Sequence, residues 1–222
     1  MDFRSCTVIG PLYAGEEPGW TKPAPDRLLI CADGGYSAAL RYNLQPDLLI
    51  GDLDSLPEAE RPEAGKIPVI LLPEHKDDTD HAVCVAEGRR RGCSCFFLLG
   101  VLGGRMDHTI ASLQVAYDCA MRGEEVWLAD RQNRLTFLLP GSHTLTPMRG
   151  RKLSLLAYTP EVNGVCLSGT EWELDNATLT ARYPLGCSNE ARTAQIRLRF
   201  ESGALIYCCS RDRQEEDGWH RC

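Results

Sequence analysis

Four groups of residues have the types and spacing to do chemistry. Three are acidic: Asp33-Gly34-Gly35, Gly51-Asp52-Leu53-Asp54-Ser55 and Lys76-Asp77-Asp78-Thr79-Asp80. Crowded carboxylates repel one another and raise each other's pKa, which is costly unless a cation neutralises them. Hard oxygen donors shared with phosphates suit Mg2+. In an extended stretch Asp52 and Asp54 would share a face and grip one ion. The fourth group is Gly103-Gly104-Arg105-Met106-Asp107-His108. Its glycines allow close backbone approach, a helix starting there favours an anion, and Arg105 can clamp a phosphate. The chain lacks both the GxxxxGK[ST] loop and the GxGxxG fingerprint, which disfavours those two phosphate-binding classes.

Taken singly, each group also has a plain structural reading. Asp-Gly-Gly is a common turn, Thr79 or Asp80 can cap a helix, and Asp52 and Asp54 can be solvated loop acids. His108 reads as a structural hydrogen-bonding residue rather than a base, since no nucleophile pattern accompanies it. Three acidic groups at the strand ends of one sheet favour a shared site, because ligands bind at the carboxyl ends of parallel strands.

The elements that position these groups follow from periodicity. Short apolar runs at 6–9, 27–31, 47–50, 68–72, 95–101 and 125–129 predict strands, and 36–42, 80–91 and 106–122 predict helices. This alternation is that of a parallel sheet with crossover helices. In the last helix Ile110, Leu113, Tyr117 and Ala120 mark the face expected on the sheet, with Gly123 as its C-terminal cap. After Asp130 the pattern turns to strands and turns, at 131–140, 149–158, 194–200 and 204–209, so this half is expected to be all-β. The fold class is therefore α/β: an N-terminal parallel-sheet nucleotide-binding domain with a C-terminal all-β sandwich domain.

Charge and composition exclude several functions. A net charge of -7 leaves no basic footprint for nucleic acid, and the longest apolar run, 95–102, is too short to span a bilayer. No charged-then-apolar leader opens the sequence, so a cytoplasmic protein is expected. The eleven cysteines are odd in number, form no CxxC and sit mostly in apolar runs, which favours buried free thiols in a reducing compartment.

In order and spacing, the four groups resemble the thiamine pyrophosphokinase family. Ser168-Gly169-Thr170-Glu171-Trp172-Glu173-Leu174 and Gly186-Cys187-Ser188-Asn189-Glu190 extend the resemblance across residues 6–209. It implies Mg2+-dependent transfer of diphosphate from ATP to thiamine, by a homodimer whose active sites lie between subunits. It also implies roles: Asp52, Asp54 and Asp77 as metal ligands, with Asp80 and Asp107 beside them in catalysis. Asp33, Gly34, Gly35 and Arg105 would face the nucleotide, and Trp172, Ser188 and Asn189 the thiamine. The expected domains are 1–130 for ATP and 131–212 for thiamine, with 213–222 a flexible tail. Trp172 taken alone reads first as a β-domain core residue, and Ser188 and Asn189 read equally as turn residues. Glu171, Ala191 and Ser112 depart from residue types common in the family, which touches the acceptor pocket and no metal-site carboxylate. The alternatives are a related transfer to another hydroxymethyl acceptor, nucleotide hydrolysis, or a non-catalytic thiamine or nucleotide sensor.

Overall fold

The computed structural model describes residues 3–62, 66–73, 78–147 and 151–211. The chain falls into two units that divide between Arg131 and Gln132. The first holds β1 (Ser5–Ile9), α1 (Pro18–Thr21), β2 (Arg27–Ala32), α2 (Gly35–Arg41), β3 (Leu48–Gly51), β4 (Val69–Leu71), α3 (Asp80–Arg90), β5 (Cys95–Leu99), α4 (Met106–Met121) and β6 (Glu125–Ala129). Its strands run in the order β6-β5-β1-β2-β3-β4, and every neighbouring pair is parallel. The chain winds outward from β1 to β4, then returns to β5 on the other side of β1. That reversal opens a crevice at the carboxyl ends of β1 and β5.

β1, β2 and β3 are almost wholly buried along their lengths, as strands covered on both faces must be. Leu28, Ile30, Leu49, Ile50, Leu98 and Leu99 lie in this core, each stabilising the fold by ~1.5–3 kcal/mol on burial. β5 stops at Leu99, two residues before the apolar run ends, because Gly100 turns away at a φ of 68°. At Gly100 a Cβ would sit 2.1 Å from the Tyr13 amide nitrogen, so only glycine lets the two loops meet.

α4 corrects one expectation. It buries Ser112, Ala116, Cys119 and Ala120, while Ile110 is 50 % exposed and Leu113 and Tyr117 are half-buried. Small side chains let the helix approach closely, and the larger ones flank the contact instead of filling it. Spacing alone matched two faces of this helix, and side-chain size decided between them. The expected cap is present: Gly123 has a φ of 75° and donates to the Ala120 carbonyl at 2.9 Å.

The second unit is all-β. β7 (Asn133–Leu138), β9 (Lys152–Ala157), β12 (Gly186–Asn189) and β14 (Leu205–Ser210) lie side by side in the order β12-β9-β14-β7. β8 (Gly141–Leu145), β10 (Glu161–Ser168), β11 (Leu174–Thr180) and β13 (Ile196–Phe200) form a sheet in the order β11-β10-β13-β8. All their pairings are antiparallel. β13 buries Ile196, Leu198 and Phe200 and exposes Arg197 and Arg199, the alternation expected of a half-covered strand. No described helix is long and apolar enough to cross a membrane. The ten described cysteines are all free, six of them buried. The segment 213–222 lies outside the described residues.

Candidate active site

β2 and β3 deliver their acids to one point. A Cβ on Gly51 would lie 2.7 Å from that of Asp33, so the two strand ends touch there and Gly51 must lack a side chain. Asp33 is buried and holds a φ of 42°, and Leu53 holds 67°. Such left-handed geometry in non-glycine residues is uncommon and concentrates at functional sites. The Leu53 amide donates to Asp33 Oδ1 at 3.1 Å, the Asp54 amide to Asp52 Oδ1 at 3.2 Å, and Ser55 Oγ to Asp54 Oδ1 at 3.0 Å. One ligand oxygen from each of Asp33, Asp52 and Asp54 lies within 4.8 Å of the others. The stretch 52–54 is thus a turn rather than the extended segment expected, and the turn brings the two acids together with Asp33. In the sequence Asp33 reads as a nucleotide-side residue; the structure adds its carboxylate to the acidic group.

Asp80 is the first residue of α3 and is half-buried, behind Thr79, whose Oγ1 accepts from the Ala82 amide at 3.3 Å. Asp77 lies outside the described residues. Gly34 and Gly35 open α2, and a Cβ on Gly35 would be 1.9 Å from the Ile9 carbonyl oxygen. That proximity explains both the glycine and the tight seating of α2 against the end of β1.

Arg105 immediately precedes α4 and binds Asp107 with two contacts, 2.6 Å from Nη2 to Oδ2 and 3.2 Å from Nε to Oδ1. Arg105's hydrogen bond, above all, holds the Asp107 carboxyl down at about 2. Both side chains are exposed, so water screens the pair and an arriving phosphate can compete for the guanidinium. Ser112 takes part in a buried pair with His81, a histidine that the sequence did not single out. His81 Nδ1 is 3.3 Å from Ser112 Oγ, which donates to the His108 carbonyl at 2.9 Å. Burial, aided by the charge of His108, lowers the His81 pKa to about 4, so it is neutral at neutral pH. The one sequence signal for His81 was its place directly after the third acidic group.

In the second unit, Trp172 is 59 % exposed, which removes it from the core. Asn189 is buried, and its carboxamide binds both backbone polar groups of Trp172. Ser188 is exposed at a φ of 59°, and its amide donates to Ser154 Oγ at 3.0 Å. The acids next to Trp172 and Asn189 in the chain are themselves partnered: Glu171 pairs with Arg192, Glu190 with Lys152, and Glu173 Oε1 accepts from the Gly169 amide at 2.8 Å. Hydrogen bonds from Arg192 and Lys152 lower the pKa of Glu171 and Glu190 respectively. An exposed indole offers an aromatic face on which a flat cation can stack.

A doubly wound parallel sheet with a carboxylate triad at its strand ends is the build of a phosphate-handling transferase. Comparisons with known proteins narrow the class. Residues 24–128 match the family model for the thiamin pyrophosphokinase catalytic domain, and residues 142–205 that for its vitamin B1 binding domain. A thiamine pyrophosphokinase of Bacillus subtilis is 26 % identical over 188 residues, covering 83 % of this chain and 88 % of that one. Thiamine pyrophosphokinase 3 of rice is 28 % identical over 210 residues, covering 82 % and 78 %. Among solved structures, the Bacillus subtilis enzyme superposes with a TM-score of 0.85 at 24 % identity, covering 94 % of this chain and all of that one. A thiamin pyrophosphokinase family protein from Enterococcus faecalis gives 0.79 at 27 %, covering 95 % and 100 %. The chain belongs to the thiamin pyrophosphokinase family, with both its catalytic and its B1-binding domains, and is an enzyme of that activity.

Proposed function

We propose that the protein moves the diphosphate of ATP onto the hydroxyl of thiamine, releasing AMP, at a Mg2+ site built from its aspartates. The convergence of Asp33, Asp52 and Asp54 within 4.8 Å carries this reading. Three anionic oxygen donors at one point fit a hard divalent cation that keeps several waters and shares phosphate oxygens. Asp52, Asp54 and Asp77 are the proposed ligands, with Asp33 and Asp80 alongside. The ion would offset the charge of the polyphosphate and polarise the β-phosphoryl group.

The chain's own residues then divide the work. Asp33, Gly34 and Gly35 border the nucleotide, and Arg105 exchanges Asp107 for phosphate oxygen. Asp107, so released, faces the acceptor. Trp172, Ser188 and Asn189 build the acceptor end in the unit from Gln132 onward, and the unit ending at Arg131 takes ATP. The thiamine hydroxyl oxygen attacks the β-phosphorus in line, the bond to the α,β-bridging oxygen breaks, AMP leaves and the hydroxyl proton passes to solvent. Positioning and charge neutralisation supply most of the acceleration, so no strong base is required. A homodimer with active sites between subunits, in the cytoplasm, completes the proposal; the unbridged thiols of the ten described cysteines support a reducing compartment.

Chromatography of a reaction containing thiamine, ATP and Mg2+ tests it. Thiamine diphosphate and AMP in equal amounts support the reading. AMP or ADP formed without thiamine points to hydrolysis, and binding without any product points to a sensor.

A further inference from the structure

We infer that Asn189 serves the acceptor without touching it, as the positioning residue that fixes the Trp172 backbone and so aims the indole. This rests on the reading of Trp172 as the acceptor platform. Asn189 is 5 % exposed. A carboxamide has two donors and one oxygen with two lone pairs. Here Oδ1 accepts from the Trp172 amide at 3.1 Å and from the Glu190 amide at 2.8 Å, while Nδ2 donates to the Trp172 carbonyl at 2.7 Å. Three of its four bonding positions are thus spent on backbone, and two of them take both polar groups of a single residue.

The surroundings brace the same point. Thr170, also buried, donates its hydroxyl to the Trp172 carbonyl at 3.0 Å. The Glu171 amide donates to the Glu190 carbonyl at 2.8 Å, and Thr170 bridges to Ala191 in antiparallel fashion. The loop from β10 to β11 is therefore fastened to the end of β12 through Asn189, and the indole stands outside that fastening. Ordering the backbone beforehand spares the ligand the cost of ordering it on binding. A side chain whose oxygen already has two amide partners has little left for a ligand.

A double-mutant cycle separates positioning from contact. Asn189→Ala should raise the thiamine KM about 5- to 20-fold, the scale of losing one or two buried hydrogen bonds, with the ATP KM unchanged. In a Trp172→Ala background the same change should add less than about 2-fold, because the group it positions is gone. Asn189→Asp, nearly isosteric, keeps both amide acceptances but turns an oxygen toward the Trp172 carbonyl, so it should act in the same direction if the alanine variant folds poorly. In the ligand-free protein, the Trp172 indole N–H resonance should shift or broaden in either variant while those of Trp20 and Trp127 stay fixed. Additive effects on the thiamine KM would mean direct contact and overturn the inference, as would an unmoved Trp172 resonance. If Trp172→Ala itself leaves the thiamine KM unchanged, the acceptor reading fails instead, and the indole resonance still decides whether Asn189 positions Trp172.

Discussion

Removing the Trp172 side chain separates a ligand platform from a structural residue by magnitude. An indole offers roughly 150–250 Å2 of surface, of which 59 % is exposed here, leaving ~100–150 Å2 open. A flat ring laid on one face covers about half of that, worth ~1–2 kcal/mol at ~25 cal/mol per Å2. The cationic character of the thiazolium adds a few tenths to ~1 kcal/mol, and side-chain ordering offsets part of the sum. Trp172→Ala should therefore weaken thiamine binding by ~1–2 kcal/mol, about 5- to 30-fold. Stability should fall by less than ~1 kcal/mol, far from the ~3–5 kcal/mol lost with a core aromatic. Calorimetric titration with thiamine and with Mg·ATP, beside a melting curve, reads all three quantities. Unchanged thiamine affinity, or equal weakening of both ligands in a destabilised protein, would refute the argument.

Two further outcomes follow from the first unit. Asp54→Asn should lower kcat by at least ~10²-fold, the scale of removing one electrostatic stabiliser, with the melting temperature nearly unchanged because Asp54 is exposed; near-normal turnover in the folded variant would remove Asp54 from the site. The folded His81 pKa near 4 lies below its ordinary 6.5, so the unfolded chain takes up this proton first as pH falls. The contribution is whole above about pH 6.5 and is lost progressively down to about pH 4, a total of ~3 kcal/mol. Denaturant titrations between pH 7 and 4 should show that slope, and His81→Gln should flatten it; an equal slope in both proteins would show that His81 titrates normally.

The first unit was legible because its strands are fully covered and read as unbroken apolar runs between turn residues. Even there, α4 was placed correctly but its packed face only in part: Ala120 is buried as expected, whereas Ser112, Ala116 and Cys119 pack by smallness, which a hydrophobic pattern does not weigh. In the second unit, β13 announced itself by alternation and β7, β9 and β14 by the turn residues around them, whereas β8, β10, β11 and β12 gave no such signal. β10 loses its register between Val162 and Val165, around Gly164 at a φ of 69°. β11 is largely exposed and polar, and β12 is interrupted by left-handed Ser188. The acidic triad shows a similar division. That Asp33, Asp52 and Asp54 share one strand-end edge was legible from their places after parallel strands, but the direct contact of Asp33 with the turn 20 residues on, through the Leu53 amide, is not encoded by spacing along the chain. His81 and Ser112, 31 residues apart, meet for the same kind of reason.

The proposed reaction is a single attack on the β-phosphorus at an aspartate-held metal. It is tested most directly with ATP labelled in its γ-phosphate, incubated with thiamine and the metal-stripped enzyme, before and after Mg2+ is added. No transfer is expected without the ion. With it, label should appear in thiamine diphosphate, matched one for one by unlabelled AMP. Labelled inorganic phosphate or pyrophosphate in place of labelled thiamine diphosphate, or full transfer in the presence of EDTA, would contradict it.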